Sequence, residues 1–273
     1  MTNEPHLVPI HVVGARGRMG TSIIREIVQS ENFILEGAVD RTGGPGLGHD
    51  AGRLVGLTEV GVKVGEVLDP RPGTVVLDFS LPEATPKNLA RCVEHNVPLV
   101  CGTTGGGEVV EQLIREASAN IPIVYAANFS AGVTMLIALA GIAARSLGPK
   151  WEAEIVELHH RHKKDAPSGT ALRIAHEVAS SRDQTLSEIF VADRSTRHQA
   201  RSANEVGIFG MRGGDSAGEH TLMLLSDGER LELTHRATDR RIFARGALRA
   251  ARWVLNKPPG VYDMRDVLGI DPA

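Results

Sequence analysis

Residues 8–13 (V-P-I-H-V-V) form a short apolar run that ends on G-A-R-G-R-M-G, with glycines at 14, 17 and 20. An amphipathic stretch follows at once, with Ile23, Ile24, Ile27 and Val28 recurring at helical spacing. Strand, glycine turn, helix is a demanding combination. The glycines let the backbone turn tightly and approach a pyrophosphate, which sits on the dipole of the helix that starts there. The spacing is G-x-x-G-x-x-G rather than G-x-G-x-x-G, because Gly14 comes one place early and Ala15 stands where a glycine is usual. A tight turn with no ligand would explain the motif taken alone.

The following strand narrows the choice. Phe33 to Val39 ends at Asp40, 20 residues past Gly20, where an acidic residue accepts hydrogen bonds from an adenosine ribose. A carboxylate there repels a 2′-phosphate and favours NADH, while Arg41 could pair with that phosphate. Use of both NADH and NADPH is expected, NADH at least as well. The plainer alternatives are a turn role for Asp40 and a solvated Arg41. Gly43 to Gly48 adds a glycine-rich loop beside them.

Further apolar strands are expected at 75–79, 98–101 and 121–126, with helical runs near 83–95 and 109–119. Continuous apolar strands alternating with helices indicate a parallel sheet covered on both faces, and such sheets bind ligands at the carboxyl ends of their strands. F-S-L-P-E-A from Phe79, G-T-T-G from Gly102 and A-N-F-S from Ala127 stand at those ends. The expected class is α/β, a Rossmann-like dinucleotide-binding domain with a parallel sheet.

After Asn128 the pattern changes. Residues 130–147 read as one long buried helix stopped by Gly148 and Pro149. Strands are then expected at 152–160, 205–211, 219–225 and 230–236, with a helix at 168–180 and a polar stretch near 193–204. Ser226-Asp227-Gly228 suits a hairpin. Residues 131–239 are therefore expected to form an α+β substrate and oligomerisation domain with a mixed, open sheet whose edge could pair between subunits. From Arg240 the chain turns helical again, with Ile242, Phe243, Ala247, Leu248, Ala251 and Val254 on one face. It is expected to pack back on the first domain, which would comprise residues 1–130 and 240–273.

Glu157 to Ala171 (E-L-H-H-R-H-K-K-D-A-P-S-G-T-A) concentrates the titratable chemistry. The apolar residues Ile155, Val156 and Leu158 mark a strand end. The chain breaks at Pro167 and restarts as a helix that Ser168 or Thr170 could cap. Three histidines and two lysines thus face a helix start, which binds anions through its N–H groups. His and Lys also move protons near neutral pH. The combination suggests a pocket for a small carboxylate with proton donors beside it. A solvated basic loop is the plain alternative. Zinc held by His159, His160 and His162 is disfavoured, since no Cys is close and Arg161, Lys163 and Lys164 would repel a cation.

The 273-residue chain carries a net charge of −3 and 42% hydrophobic residues. Nothing global suggests nucleic acid or membrane. Arginines at 236, 240, 241, 245, 249 and 252 resemble a nucleic-acid stripe but suit a solvated or inter-subunit helix face better in an acidic chain. Cys92 and Cys101 form no metal motif, and reduced thiols in the cytoplasm are expected. The N-terminus, with Glu4 and Pro5, does not read as a signal peptide. A semialdehyde dehydrogenase would need a cysteine nucleophile over the nicotinamide, and neither cysteine is placed for it. A nucleotide-sensing regulator would have no use for His159, Lys163 and P-S-G-T together.

V-G-A-R-G-R-M-G, D-F-S-L-P-E-A, G-T-T-G, A-A-N-F-S, the His/Lys string, G-E-H-T around Gly218 and Y-D-M-R-D-V-L together resemble the 4-hydroxy-tetrahydrodipicolinate reductase (dihydrodipicolinate reductase) family over essentially the whole chain. The resemblance implies an NAD(P)H-dependent reductase of lysine and diaminopimelate biosynthesis, acting on a small cyclic imine dicarboxylate as a cytoplasmic homotetramer. It implies that Gly14, Ala15, Arg16, Gly17, Arg18 and Met19 hold the pyrophosphate and that Asp40 and Arg41 meet the ribose. Gly102, Thr103, Thr104, Ala126, Ala127, Asn128 and Phe129 would lie along the nicotinamide. His159 would be proton donor and acceptor, and Lys163 the proton donor. His160, Lys163, Ser168, Gly169 and Thr170 would bind substrate, with no metal. Since the two ligands fall on different domains, closure about hinges near 129–131 and 239–241 is expected.

Overall fold

The computed structural model describes residues 7–195 and 199–270. Glu4 and Pro5, and positions 196–198 of the polar stretch, lie outside them. The described chain divides into two compact units, one reaching Ser130 and resuming at Arg241–Gly269, the other spanning Ala131–Arg240.

The first unit is a seven-stranded parallel sheet. In chain order its elements are β1 (Val8–Val13), α1 (Arg18–Val28), β2 (Phe33–Val39), α2 (Ala51–Leu54), β3 (Val64–Gly65) and β4 (Val75–Asp78). There follow α3 (Thr85–Glu94), β5 (Leu99–Cys101), α4 (Gly107–Ala117) and β6 (Pro122–Tyr125). The second unit begins with α5 (Ala131–Leu147), β7 (Glu152–His159), α6 (Gly169–Ser180), α7 (Leu186–Ile189) and β8 (Phe190–Val191). It ends with β9 (Val206–Arg212), β10 (Gly218–Ser226) and β11 (Glu229–Ala237). The chain then completes the first unit with α8 (Arg241–Val254), β12 (Gly260–Tyr262) and α9 (Met264–Leu268).

The first sheet runs β12-β6-β5-β4-β1-β2-β3. Its order reverses at β1, with β2 on one side and β4 on the other. Such a switch point opens a crevice beyond the strand ends. Alternate strand residues feed two cores. Val75 and Leu77 pack with Ile23, Ile24 and Ile27 of α1 and with Ala247, Ala251 and Val254 of α8. Val76, Leu99 and Cys101 pack with Leu89 of α3 and Ile114 of α4. Ile242 and Phe243, expected on the buried face of α8, are only half-buried; Ala244 and Gly246 are buried instead. β3 and β12 carry no sequence signal, being two and three residues long. Several of the arginines that resemble a nucleic-acid stripe are tied to neighbours: Arg236 to Glu219, Arg245 to Glu26 and Arg252 to Asn32.

The second sheet is mixed, in the order β11-β10-β7-β9-β8. β10 and β11 form an antiparallel hairpin with Ser226 opposite Glu229 and Gly228 at φ 82 in the turn. β9 and β10 are consecutive but do not pair. β7 lies between them, parallel to β9 and antiparallel to β10. Ile155, Leu222 and Leu224 join Val133 and Ile137 of α5 and Ile174 and Val178 of α6 in one core.

Candidate active site

The glycine turn has the shape its residues demand. Gly14 sits at φ 78, and a Cβ there would lie 2.7 Å from the Phe79 carbonyl oxygen. The Gly14 and Ala15 amides both donate to the Val39 carbonyl, at 2.9 and 3.0 Å. Ala15 is fully buried in the core, which accounts for a small residue at the displaced position. Gly17 is the N-cap of α1 and provides no side-chain cap, a helix start whose N–H groups suit an anion. Asp40 closes the other side of the crevice. One oxygen accepts from the Arg16 amide at 2.8 Å, the other from the Arg41 amide at 2.9 Å.

A cavity of about 410 Å³ fills this crevice, lined among others by Gly14, Arg16, Asp40, Arg41, Ser80 and Lys87. Lys87, on α3, carries no sequence signal beyond an ordinary helix-surface charge. Arg18 is exposed, and Met19 packs its side chain against the core.

At the carboxyl ends of the next strands, buried Asp78 ties two loops and α3 together. It accepts from Ser80 N–H at 2.9 Å, from the Asn88 amide at 2.9 Å and from the Thr103 hydroxyl at 3.4 Å. Gly102 lies against the Phe79 ring, where any Cβ would collide, and Phe79 in turn packs on Phe129 at 5.3 Å. Ala126 donates its N–H to the Cys101 carbonyl, and Asn128 Oδ1 accepts from Ser130 N–H at 2.8 Å. Thr104 and Ala127 are exposed on these loops. Both cysteines are buried, and burial pushes their thiols up, Cys101 to about 12. A thiolate nucleophile, and with it the semialdehyde dehydrogenase alternative, has no place here.

In the second unit the strand expected at 152–160 is present as β7, and its parity decides which residues face inward. Ala153, Ile155, Glu157 and His159 point into the unit, while Val156 and Leu158 are half-exposed. The inward face therefore ends in a carboxylate and an imidazole. His159 Nδ1 makes a short contact with Glu157 Oε2. Glu157 Oε1 accepts from the Ser168 amide at 3.1 Å and from the Arg212 guanidinium at 2.9 Å. Register sets these partners, with His159 opposite Arg212 on β9 and Glu157 opposite His220 on β10. His220 meets the His159 ring edge-on at 5.1 Å, and its Nε2 lies 3.1 Å from Ser168 Oγ. Gly218, at φ 145, makes room for the His159 ring; a Cβ there would lie 2.8 Å from Nε2.

Burial lowers the His159 pKa, the Glu157 charge opposes it, and Lys163 and Arg212 lower it further. Burial first, and neighbouring His159 next, bring His220 down to about 4. Glu157, Arg212 and His220 took no role in the sequence reading. The available signal was the two-residue period, which puts 157 and 159 on the face of Ile155.

The loop beyond β7 holds the remaining candidates. Lys163 Nζ pairs with Asp165 at 2.8 Å, which holds the Asp165 carboxyl below its ordinary range. His160 is anchored by its amide to the Ser216 carbonyl at 2.9 Å, and its Nδ1 accepts from the His162 amide. An open cleft of about 640 Å³ is lined by His160, Arg161, His162, Gly214, Asp215 and Arg240. Ser168 caps α6 by accepting from the Ala171 amide, leaving Gly169 and Thr170 in the first turn. Among the described residues, His159, His160 and His162 do not converge as a ligand set. Glu157, His159 and His220 do have ligand atoms within 4.8 Å of one another. Both Glu157 oxygens are already hydrogen-bonded, however, and Arg212 and Lys163 bring positive charge. These contacts suit a hydrogen-bonded carboxylate–imidazole pair better than a cation.

Comparison with known proteins adds lineage to geometry. Family models described as "Dihydrodipicolinate reductase, N-terminus" and "Dihydrodipicolinate reductase, C-terminus" match residues 8–129 and 132–268. The 4-hydroxy-tetrahydrodipicolinate reductase of Halorhodospira halophila is 45% identical over 266 residues, 96% of this chain and 98% of the relative. That of Psychrobacter arcticus is 43% identical over 267 residues, covering 97% and 96%. The dipicolinate-bound dihydrodipicolinate reductase of Paenisporosarcina sp. TG-14 shares the fold with a TM-score of 0.72 at 22% identity, covering 94% of this chain and 97% of that one. With both halves matched in order and relatives aligned nearly end to end, the chain belongs to the dihydrodipicolinate reductase family.

Proposed function

We propose that the protein reduces (2S,4S)-4-hydroxy-2,3,4,5-tetrahydrodipicolinate to (S)-2,3,4,5-tetrahydrodipicolinate with NAD(P)H and loss of water, a step of lysine and diaminopimelate biosynthesis. The observation that carries this is the strand end where buried His159 leads directly into Lys163 and the Ser168-capped start of α6.

Gly14 to Met19 hold the pyrophosphate in this reading. The fit rests on the tight turn at Gly14, whose positive φ and close approach to the Phe79 carbonyl admit no side chain, and on the uncapped start of α1. Asp40 takes the ribose hydroxyls and Arg41 accommodates a 2′-phosphate. Lys87 adds positive charge to the same cavity. Gly102, Thr103, Thr104 and Ala126 to Phe129 line the nicotinamide.

Loss of the 4-hydroxyl leaves the substrate with a conjugated C=C–C=N system. The bound reduced nicotinamide supplies hydride to C4 of that ring. Electron density then moves toward the ring nitrogen, and a proton must be delivered to complete the product. Lys163 stabilises the developing negative charge and His159 delivers the proton. The Gly169 and Thr170 amides clamp a carboxylate at the helix start, with His160 and Ser168 beside them.

The protein acts in the cytoplasm as a homotetramer assembled through the second unit's sheet, without nucleic acid or membrane. No helix among the described residues is long and apolar enough to cross a membrane. The test is direct. Freshly synthesised 4-hydroxy-tetrahydrodipicolinate is supplied and the absorbance of NADH and of NADPH is followed separately. Oxidation of at least one is expected; oxidation of neither overturns the reading.

A further inference from the structure

The Glu157 carboxylate is fully buried, and a buried anion is costly unless its oxygens are satisfied. Here each oxygen has an assigned partner. Oε1 is held by the Ser168 amide and the Arg212 guanidinium, and Oε2 faces His159 Nδ1. We propose that Glu157 is the positioning residue for His159, fixing its tautomer so that the exchangeable proton sits only on Nε2. This deepens the reading above and rests on His159 being the proton-transfer group.

The reasoning is one of donors and acceptors. A backbone amide and an arginine can only donate. Together they fix the carboxylate and leave Oε2 as an acceptor aimed at Nδ1. Nδ1 must then carry hydrogen whether the ring is neutral or charged. The neutral ring accepts a proton at Nε2 and the charged ring gives it up there, on the edge where Gly218 has no side chain. The same logic governs other carboxylate–histidine pairs, where the carboxylate orients the ring and stabilises the imidazolium without itself taking the proton. The charged and titratable groups around His159 are Glu157 on its own strand, Arg212 on β9, His220 on β10 and Lys163 on the exit loop. Of these, Glu157 is the anion, and it favours the charged ring.

Glu157→Gln reverses the pattern while nearly preserving shape. The new amide cannot face Ser168 N–H and Arg212, donor against donor, so it turns toward Nδ1 and forces hydrogen onto Nε2 of the neutral ring. The expected result with NADPH is a kcat at least about 10²-fold lower, with KM for NADPH within about twofold. The arm of the pH–rate profile that reports imidazolium moves to lower pH, because the anion that favoured it is gone. A merely structural role would not move that arm. Unchanged kcat and pH profile, in a background where His159→Gln does lower the rate, overturns the inference alone. An unchanged rate in His159→Gln overturns the catalytic assignment as well. Should Glu157→Gln not fold, ¹⁵N-histidine NMR of the wild-type holoenzyme decides the matter. A neutral His159 with hydrogen on Nδ1 is expected, and hydrogen on Nε2 instead overturns the inference.

Discussion

The two units build their sites from different materials. In the first, the crevice at β1 and β2 is mostly backbone: a glycine at φ 78, amides at a helix start, and one carboxylate held by two amides. In the second, the site is a set of buried and half-buried side chains from three strands and a helix cap, each bonded to or packed on another. A backbone site depends on the few residues that shape the turn and tolerates much else. A side-chain network loses several contacts with any one member, because the groups left behind stay buried and unpaired. Substitutions in the second unit are therefore expected to act more strongly.

The largest effect is expected at Lys163. Its ion pair with Asp165 is largely solvent-accessible on the Asp165 side and adds little stability, so Lys163→Ala should fold normally and bind dinucleotide normally. Its kcat should drop by about 10²-fold or more. A small loss in steady-state kcat would show that the role belongs elsewhere.

His220 offers a stability measurement. Its folded pKa, about 4, lies below the ordinary 6.5, so the unfolded chain binds the proton first as pH falls. Stability from the neutral ring is complete above about pH 6.5 and is lost between there and about pH 4, on the order of 3 kcal/mol. Denaturant midpoints at several pH values should show this decline, and His220→Asn should flatten it. An unchanged slope in the variant would remove His220 from the buried network.

Gly14→Ala probes the backbone half. Positive φ and the nearby Phe79 carbonyl impose a strain of roughly 1–3 kcal/mol. Dinucleotide binding should weaken about tenfold in a fluorescence titration, whereas unaltered binding would mean the turn does not carry the pyrophosphate. Asp40→Ala should have the mildest and most selective effect, raising KM for NADH several-fold more than KM for NADPH. Equal changes would contradict the ribose contact.

The same contrast explains what could be read in advance. β1 and β2 match their expected bounds because continuous apolar runs and a glycine turn are local signals. A cap for α6 was legible for the same reason, and of the two candidates, Ser168 and Thr170, it is Ser168 that takes the place. β3 and β12 were not, being too short to carry a period, and they exist because neighbouring strands offer unpaired edges. Ile242 and Phe243 sit where helical periodicity puts an apolar stripe, yet closest packing on the first sheet went to alanines and a glycine. Residues 157 and 159 shared a face with Ile155 by parity alone, but nothing local indicated that this face was the inner one.

By itself, the amino-acid sequence determined the alternation of apolar strands with helices, the turn at Gly14 to Gly20, the acidic end of β2 and the His/Lys loop before a capped helix. Each is a short-range pattern, fixed by spacing and by the conformations residues allow. Only the tertiary structure decided that β7 lies between β9 and β10, and hence that Arg212 and His220 flank Glu157 and His159. Those partners stand more than 50 positions apart along the chain, and cross-strand register, which no local pattern encodes, is what brings them together.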